Sequence, residues 1–302
     1  MKKILLIYNP NAGNGVAKTH LDGIIHSFGE AGVYVVPCRL GGPMNLDKIL
    51  TELPLDEFCK IVIAGGDGTI NLLVSAMMRH NISIPLAIFP VGTANDLAGQ
   101  LGIPLSIEGM VAAALSEEYI NVDVGKAGSK YFVNVLAIGM LVDVSQKTDP
   151  LIKNTLGIGA YYLRTLAEVP FARASKLRII SDECSLEEDV SAVLVMNGRD
   201  AGGFKAVSPL SDLSDGLLDV LVVRKLILPV MLPALLTVLM GNHLGDKRFE
   251  YFSTSKLRIE PVGKKIVNTD VDGERGDPLP LDIEVLPGRL MISKNSHFSI
   301  KP

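Results

Sequence analysis

The chain is poor in cysteine: Cys38, Cys59 and Cys184 are scattered, odd in number and at no spacing that builds a zinc site. They read as reduced structural residues of a cytoplasmic protein. A basic excess is missing as well, because the formal net charge is -4 and the pI is near 5.8. That balance argues against a partner made of nucleic acid, which proteins wrap with a surplus of Lys and Arg. Long hydrophobic runs are also lacking. The most apolar stretch, Leu226 to Gly241, is interrupted by Pro229 and Pro233 and falls short of the roughly 20 residues that span a bilayer. The apolar run at the N-terminus stops at Asn9, so it reads as a first strand and not as a signal peptide. Two nucleotide motifs are absent: no GxGxxG opens a helix after the first strand, and no GK[ST] occurs anywhere.

What is present is ordinary globular composition, 48% hydrophobic and 21% charged over 302 residues, enough for two medium domains. Residues 1–122 alternate short apolar runs with amphipathic ones, the pattern of a mostly parallel sheet covered by helices. Strands are expected at Ile4 to Tyr8, Val33 to Cys38, Ile61 to Ala64 and Pro85 to Phe89. Helices are expected at Val16 to Ala31, Leu46 to Leu53, Thr69 to Arg79 and from Asn95. From residue 123 to 288 the texture becomes β-rich, with strands at Tyr131 to Ala137, Ala174 to Ile180, Val190 to Asn197, Leu217 to Val223, Lys256 to Pro261, Leu281 to Leu286 and Leu290 to Lys294. This predicts an antiparallel sandwich interrupted by helices at Leu156 to Val169 and Pro229 to Met240. The tail, 289–302, is assigned back to the first domain.

Three glycine-bearing loops follow strands in the first domain. Asn9-Pro10-Asn11-Ala12-Gly13 follows the first, Gly65-Gly66-Asp67-Gly68-Thr69-Ile70-Asn71 the third, and Pro90 to Asp96 the fourth. Glycines let backbone approach a ligand, and the helix start presents free amides and a positive dipole end to an anion. In an open parallel sheet such loops line one crevice at the carboxyl edge, which makes a nucleotide site the better reading than three bland turns. Asp67 would repel phosphate unless it caps the helix or a magnesium ion lies between them.

NPNAG at 9–13, GGDGT at 65–69 and PVGTANDLA at 90–98, in that order, resemble the diacylglycerol kinase catalytic family, in particular the bacterial soluble lipid kinases related to sphingosine and ceramide kinases. GGDGT is shared with NAD kinases and phosphofructokinases; PVGTANDLA favours the lipid kinases. The resemblance implies ATP and Mg2+ as cofactors, with the phosphates on Asn9, Pro10, Asn11, Ala12 and Gly13 and on Gly65, Gly66, Asp67, Gly68, Thr69, Ile70 and Asn71, completed by Thr93 and Asn95. It implies a second magnesium ion on Asp212, Asp215 and the carbonyl of Leu217, in a segment that otherwise reads as an acidic turn. It also places the catalytic base in Asp272-Gly273-Glu274, where both Asp272 and Glu274 stay open as the proton acceptor. Departures are Pro37-Cys38-Arg39-Leu40 where relatives carry a threonine near adenine, and Gly202-Gly203-Phe204 where a third glycine is commoner.

The implied reaction is phosphorylation of a lipid hydroxyl, diacylglycerol or a related lipid, with an NAD or sugar-phosphate kinase and a silent nucleotide- or lipid-binding regulator as alternatives. A lipid alcohol is the expected partner, with peripheral contact at the inner face of the membrane and a homodimer both admitted. Met231, Leu232, Leu235, Leu236 and Leu239 near Lys225, His243, Lys247 and Arg248 read either as an acyl or membrane face or as a plain core helix. Arg164, Arg173, Lys176 and Arg178 form a second basic set that a solvated face explains equally well.

Overall fold

The computed structural model describes residues 2–41, 45–140, 142 and 174–294, so the helix expected at 156–169, Arg164, Arg173 and the end of the tail lie outside the described residues. The chain divides into two compact units, residues 1–122 with 288–302, and residues 123–287.

In the first unit, β1 (Lys2–Tyr8), β2 (Val33–Arg39), β3 (Lys60–Gly65) and β4 (Leu86–Pro90) form a parallel sheet in the order β4-β3-β1-β2. Leu5, Leu6, Ile61, Val62 and Ile63 are fully buried, as strands covered on both faces require. One face carries α1 (Val16–Thr19), α2 (Leu21–Glu30) and, further on, α6 (Ile107–Leu115), with Phe28 stacked on Phe89 at 6.1 Å. Helices α3 (Leu46–Glu52) and α4 (Asp67–Arg79) pack on each other, and the short α5 (Asp96–Gln100) follows β4. The single helix expected at 16–31 is two, parted at His20; the Thr19 hydroxyl bonds back to the Gly15 carbonyl at 3.1 Å, a local bond that competes with a continuous helix. Helix α6 went unseen, though its Ser106 cap, accepting from the Gly109 N–H at 3.2 Å, was a readable signal.

The second unit is an antiparallel β sandwich. Its strands are the end of β5 (Tyr119–Ala127), β6 (Lys130–Phe132), β7 (Val135–Gly139), β8 (Ser175–Ile180), β9 (Ser185–Met196), β10 (Leu218–Arg224), β11 (Phe249–Thr254), β12 (Lys256–Pro261), β13 (Thr269–Val271), β14 (Glu274–Arg275) and the first part of β15 (Leu281–Ser293). The twelve-residue β9 organises it: its first half pairs with β8, and its second half with β7 and β10. Phe132, Ile138, Ile179, Val193, Val220 and Ile259 are central to the core. Helix α7 (Leu228–Leu239) packs through Ala234 and Val238 against Met196, Leu221 and Phe249. The strand expected at 131–137 is interrupted at Val133 and Asn134, because their amides bond a carboxylate instead of a ladder partner. The two strands expected at 281–294 are one, running through Pro287 and Gly288. From Gly288 on the chain belongs to the first unit, where Ile292 pairs in parallel with Leu86 of β4.

Candidate functional site

The carboxyl edge of the first unit's sheet is tied together by its own loops. Asn9 at the end of β1 donates from Nδ2 to the Thr69 hydroxyl at 3.0 Å, and its Oδ1 accepts from the Asn11 N–H at 3.0 Å, so one side chain joins the first loop to α4. Pro10 is buried, Asn11 exposed, and Ala12 and Gly13 lie between. Gly13 has φ +54, and a Cβ there would sit 1.8 Å from the Val91 carbonyl oxygen, so the first and third loops touch backbone to backbone. The second and third loops do the same: a Cβ on Gly92 would lie 2.4 Å from Gly66 Cα. Asn95, in a left-handed conformation, closes the third loop by accepting from the Gly92 N–H and donating to the Gly92 carbonyl, both at 2.9 Å. Thr93 between them is exposed.

Helix α4 begins at Asp67, two residues earlier than its sequence pattern suggests, with Gly66 as the N-cap. Gly65 makes room for Thr69, since a Cβ would come within 2.5 Å of Thr69 Cβ, while Ile70 and Asn71 are buried on the inner side of the helix. Gly68 differs from every other glycine of these loops: a Cβ added to it meets nothing within 4 Å, and its φ is not positive. Nothing in the fold requires glycine there, and helix propensity opposes it. The Thr69 amide already donates to the Gly66 carbonyl at 2.9 Å, but the helix offers no partner to the Asp67 and Gly68 amides ahead of it, so the open space at Gly68 lies beside donors for an anion. Asp67 is the first residue of α4 and not its cap. Its Oδ1 is buried with no hydrogen-bond partner among the described residues. Burial pushes its carboxyl above the ordinary range, against the pull of the Asn95, Asp96 and Leu97 amides at the start of α5. An orphaned, buried carboxylate oxygen beside helix amides fits a hard cation accompanying a phosphate.

In the second unit, β13 and β14 pair Val271 with Glu274 around a two-residue turn, Asp272 at φ +49 and Gly273 at φ +87. Both positive values define the hairpin turn that Asp-Gly favours, and the Gly273 N–H donates to Asp270 Oδ1 at 2.8 Å. The two carboxylates in question part company here. Asp272 Oδ2 accepts from the Val133 N–H at 2.8 Å, Oδ1 accepts from the Val135 N–H at 2.7 Å, and Asn134 N–H lies within 3.2 Å of Oδ1. Glu274 is exposed.

The Asp-Gly segment before β10 is built differently. Asp212 Oδ1 accepts from the Ser214 N–H and hydroxyl at 2.9 and 2.8 Å, and Asp215 Oδ1 accepts from the Leu217 N–H at 2.9 Å. Both acids are exposed. Partial desolvation by the surrounding turn still pushes the Asp215 carboxyl up, against the pull of the Leu217 amide, and the neighbouring Asp219, Asp212 and Asp123 carboxylates push it further. A cation held by these hard oxygens and the Leu217 carbonyl would relieve that repulsion, so the donors fit magnesium. No group of three or more His, Cys, Asp or Glu positioned for a metal occurs among the described residues, so any ion here would lean on backbone oxygen and water.

Sequence reasoning missed the residues that position this segment. Asp123, 1% exposed on β5, accepts from the Gly216 N–H at 2.7 Å, and its own N–H donates to the Leu213 carbonyl at 2.8 Å. Buried Asn197 donates to the carbonyls of Asp123 at 2.9 Å and Val133 at 3.1 Å, and so links the acidic turn to the loop held by Asp272. On the other side, Asp219 accepts from Tyr251 at 2.7 Å, from Ser253 at 2.6 Å and from Ser211. Burial, with the Asp219 carboxylate adding, pushes the Tyr251 phenol well above its ordinary value.

A parallel sheet with interlocked glycine turns, and a β sandwich with a carboxylate hairpin, have the design of a phosphotransferase. Residues 3–127 match the diacylglycerol kinase catalytic domain, and residues 134–294 match the YegS C-terminal NAD kinase beta sandwich-like domain. The chain is 31% identical over 285 residues to a diacylglycerol kinase of Bacillus subtilis (strain 168), covering 93% of this chain and 92% of the relative. A diacylglycerol kinase of Staphylococcus haemolyticus (strain JCSC1435) is 28% identical over 279 residues, 91% of this chain and 83% of the relative. The crystal structure of a diacylglycerol kinase from Bacillus anthracis str. Sterne superimposes with a TM-score of 0.78 at 28% identity, over 98% of each chain. The chain belongs to the diacylglycerol kinase catalytic family, and it is an enzyme, a lipid kinase. No helix among the described residues is long and apolar enough to cross a membrane.

Proposed function

We propose that the chain transfers the terminal phosphoryl group of ATP to the hydroxyl of diacylglycerol, with magnesium, giving phosphatidic acid. The observation that carries the nucleotide half is Gly68: the fold has no use for a missing side chain there, and a phosphate does. The amides at the start of α4 and the Gly66 and Gly92 backbones would hold the phosphates, with Asn9 and Asn95 fixing the loops that present them. MgATP supplies the phosphoryl group and a cation that screens its charge; the buried Asp67 oxygen suits that cation.

The acceptor half is assigned to the second unit. Glu274 takes the hydroxyl proton, because it is the exposed carboxylate of the turn. Asp272 already has three backbone amides on its oxygens, which occupy the lone pairs that a substrate hydroxyl would need. Its role is to hold the turn that aims Glu274. A magnesium ion on Asp212, Asp215 and the Leu217 carbonyl would be structural. Diacylglycerol as acceptor is supported by the names of the relatives.

The test is phosphorylation with labelled ATP of dispersed diacylglycerol, NAD and fructose phosphate in parallel. Label in phosphatidic acid, lost in Glu274→Gln, is expected. Label in NAD or the sugar alone would sink the reading.

A further inference from the structure

The outer side of α7 carries apolar surface that folding does not use. The helix, LPVMLPALLTVL, has no charged residue in its 12 positions. Its inner side is complete: Met231, Ala234 and Val238 are buried against β9 and β10. A helix so seated on a soluble domain ordinarily turns polar residues outward. Here Pro229, Pro233, Leu236 and Met240, at steps of four, three and four, are exposed instead, Leu236 at 45% and Met240 at 73%. Ile227 before the helix, 65% exposed, and Leu244 after it, 40% exposed, lengthen the strip. The one hydroxyl of the helix, on Thr237, donates to the Pro233 carbonyl at 2.8 Å and so shows the surface no free donor.

We infer that this strip docks on the surface of the bilayer that contains the lipid substrate. The inference rests on the lipid-kinase reading for the identity of the surface and on α7 for its place. Exposed Lys247 stands at one end, where its long stem lies along an apolar boundary and its ammonium reaches headgroups, and exposed Lys225 stands at the other. The nearby acids are already held: Asp189 by Lys225 at 3.1 Å, and Asp246 by Arg248. A second copy of the chain fits less well. The six side chains of the strip fall far short of the roughly 20–30 residues a side of a stable interface. The strip also lies close to the chemistry. Strand β9, under the helix, pairs with β7, β7 with β13, and β13 with β14, which begins at Glu274, three strand spacings or about 15 Å across the sheet.

The experiment uses the full chain, sedimented with vesicles of phosphatidylcholine and phosphatidylglycerol, and compares wild type with Leu236→Glu, Met240→Glu and the milder Met240→Ser. Vesicle binding and kcat/KM on vesicle-borne diacylglycerol should fall at least tenfold in the Glu variants and severalfold in Met240→Ser. Turnover of a short-chain, water-soluble diacylglycerol should stay at the wild-type level. That last measurement also reports folding, and loss of it in a Glu variant passes the decision to Met240→Ser. Vesicle binding within twofold of wild type in the folded variants overturns the inference. So does a wild-type dimer that Met240→Glu dissociates while vesicle binding is retained, which would assign the strip to a second copy. Failure of wild type to phosphorylate either form of the lipid would instead count against the kinase reading, with vesicle binding still measuring the surface.

Discussion

Asp272 grips Val135 twice: its N–H donates to the Val135 carbonyl at 2.9 Å, and its carboxylate accepts from the Val135 N–H at 2.7 Å. A residue at φ +49 is held in a strained region by bonds to a segment 137 positions away. The two acids of the Asp-Gly-Glu turn should therefore fail in different ways. Asp272→Asn keeps one acceptor and introduces a donor facing amides, so it should lower stability by about 1–3 kcal/mol along with activity. Glu274→Gln should leave the urea midpoint unchanged and reduce kcat on the order of a hundredfold or more. Equal stability of the two variants would refute this division.

Two glycines of the loops proposed to hold the phosphates should part in the same manner. Gly13→Ala places a methyl 1.8 Å from the Val91 oxygen at a positive φ and should destabilise by about 2 kcal/mol or more. Gly68→Ala meets open space inside a helix and should be neutral or stabilising by up to about 1 kcal/mol, while the KM for MgATP rises at least tenfold. Unfolding curves beside ATP titrations separate the two effects; an unchanged KM in Gly68→Ala would remove the main support for the nucleotide assignment.

Lys60 gives a stability profile with a definite sign. It is 5% exposed and donates to the carbonyls of Ala114 at 2.7 Å and Ser116 at 2.9 Å, closing the end of α6. Burial pulls its ammonium down to about 8, below an unfolded value near 10.4. Between those two values the unfolded chain binds more protons, so this site's contribution to stability rises with pH. Relative to Lys60→Met, wild type should gain on the order of 2 kcal/mol between pH 8 and 10. A pH-independent difference in urea midpoints would contradict the burial.

Metal removal tests the acidic turn. Chelation should lower the wild-type unfolding temperature, and excess magnesium should restore it, because an ion bound only to the native state stabilises by mass action. Asp215→Asn, which removes one charged donor, should respond weakly to both. An identical response in the two proteins would clear Asp212, Asp215 and Leu217 of the role.

The glycine loops were legible because each is local: strand, turn and helix follow one another within a dozen residues, and steric need writes itself as Gly65, Gly66 or Gly92. Features made by distant partners were not. The break at Val133 and Asn134 depends on Asp272 across 139 and 138 positions, so the strand pattern ran straight through it. Asp123, between Val122 and Val124, and Asn197, after the apolar end of β9, look like ordinary polar positions, and their meaning appears only when Gly216 and Val133 come to them. Strand β11, Phe249–Thr254, was hidden because its burial comes from its partner β10 more than from its own alternation.

The way β15 runs through Pro287 and Gly288 has a consequence for the order in which the protein is made. The first unit is interrupted by the whole of the second, and the segment that pairs Ile292 with Leu86 is synthesised roughly two hundred residues after β4. The parallel sheet thus leaves the ribosome with that flank of β4 open, an unpaired edge of the kind that invites wrong partners. The sandwich, by contrast, is contiguous from Asp123 to Pro287 and is fully synthesised before the edge is closed. A chain truncated at residue 287 would retain the second unit and leave that edge permanently exposed.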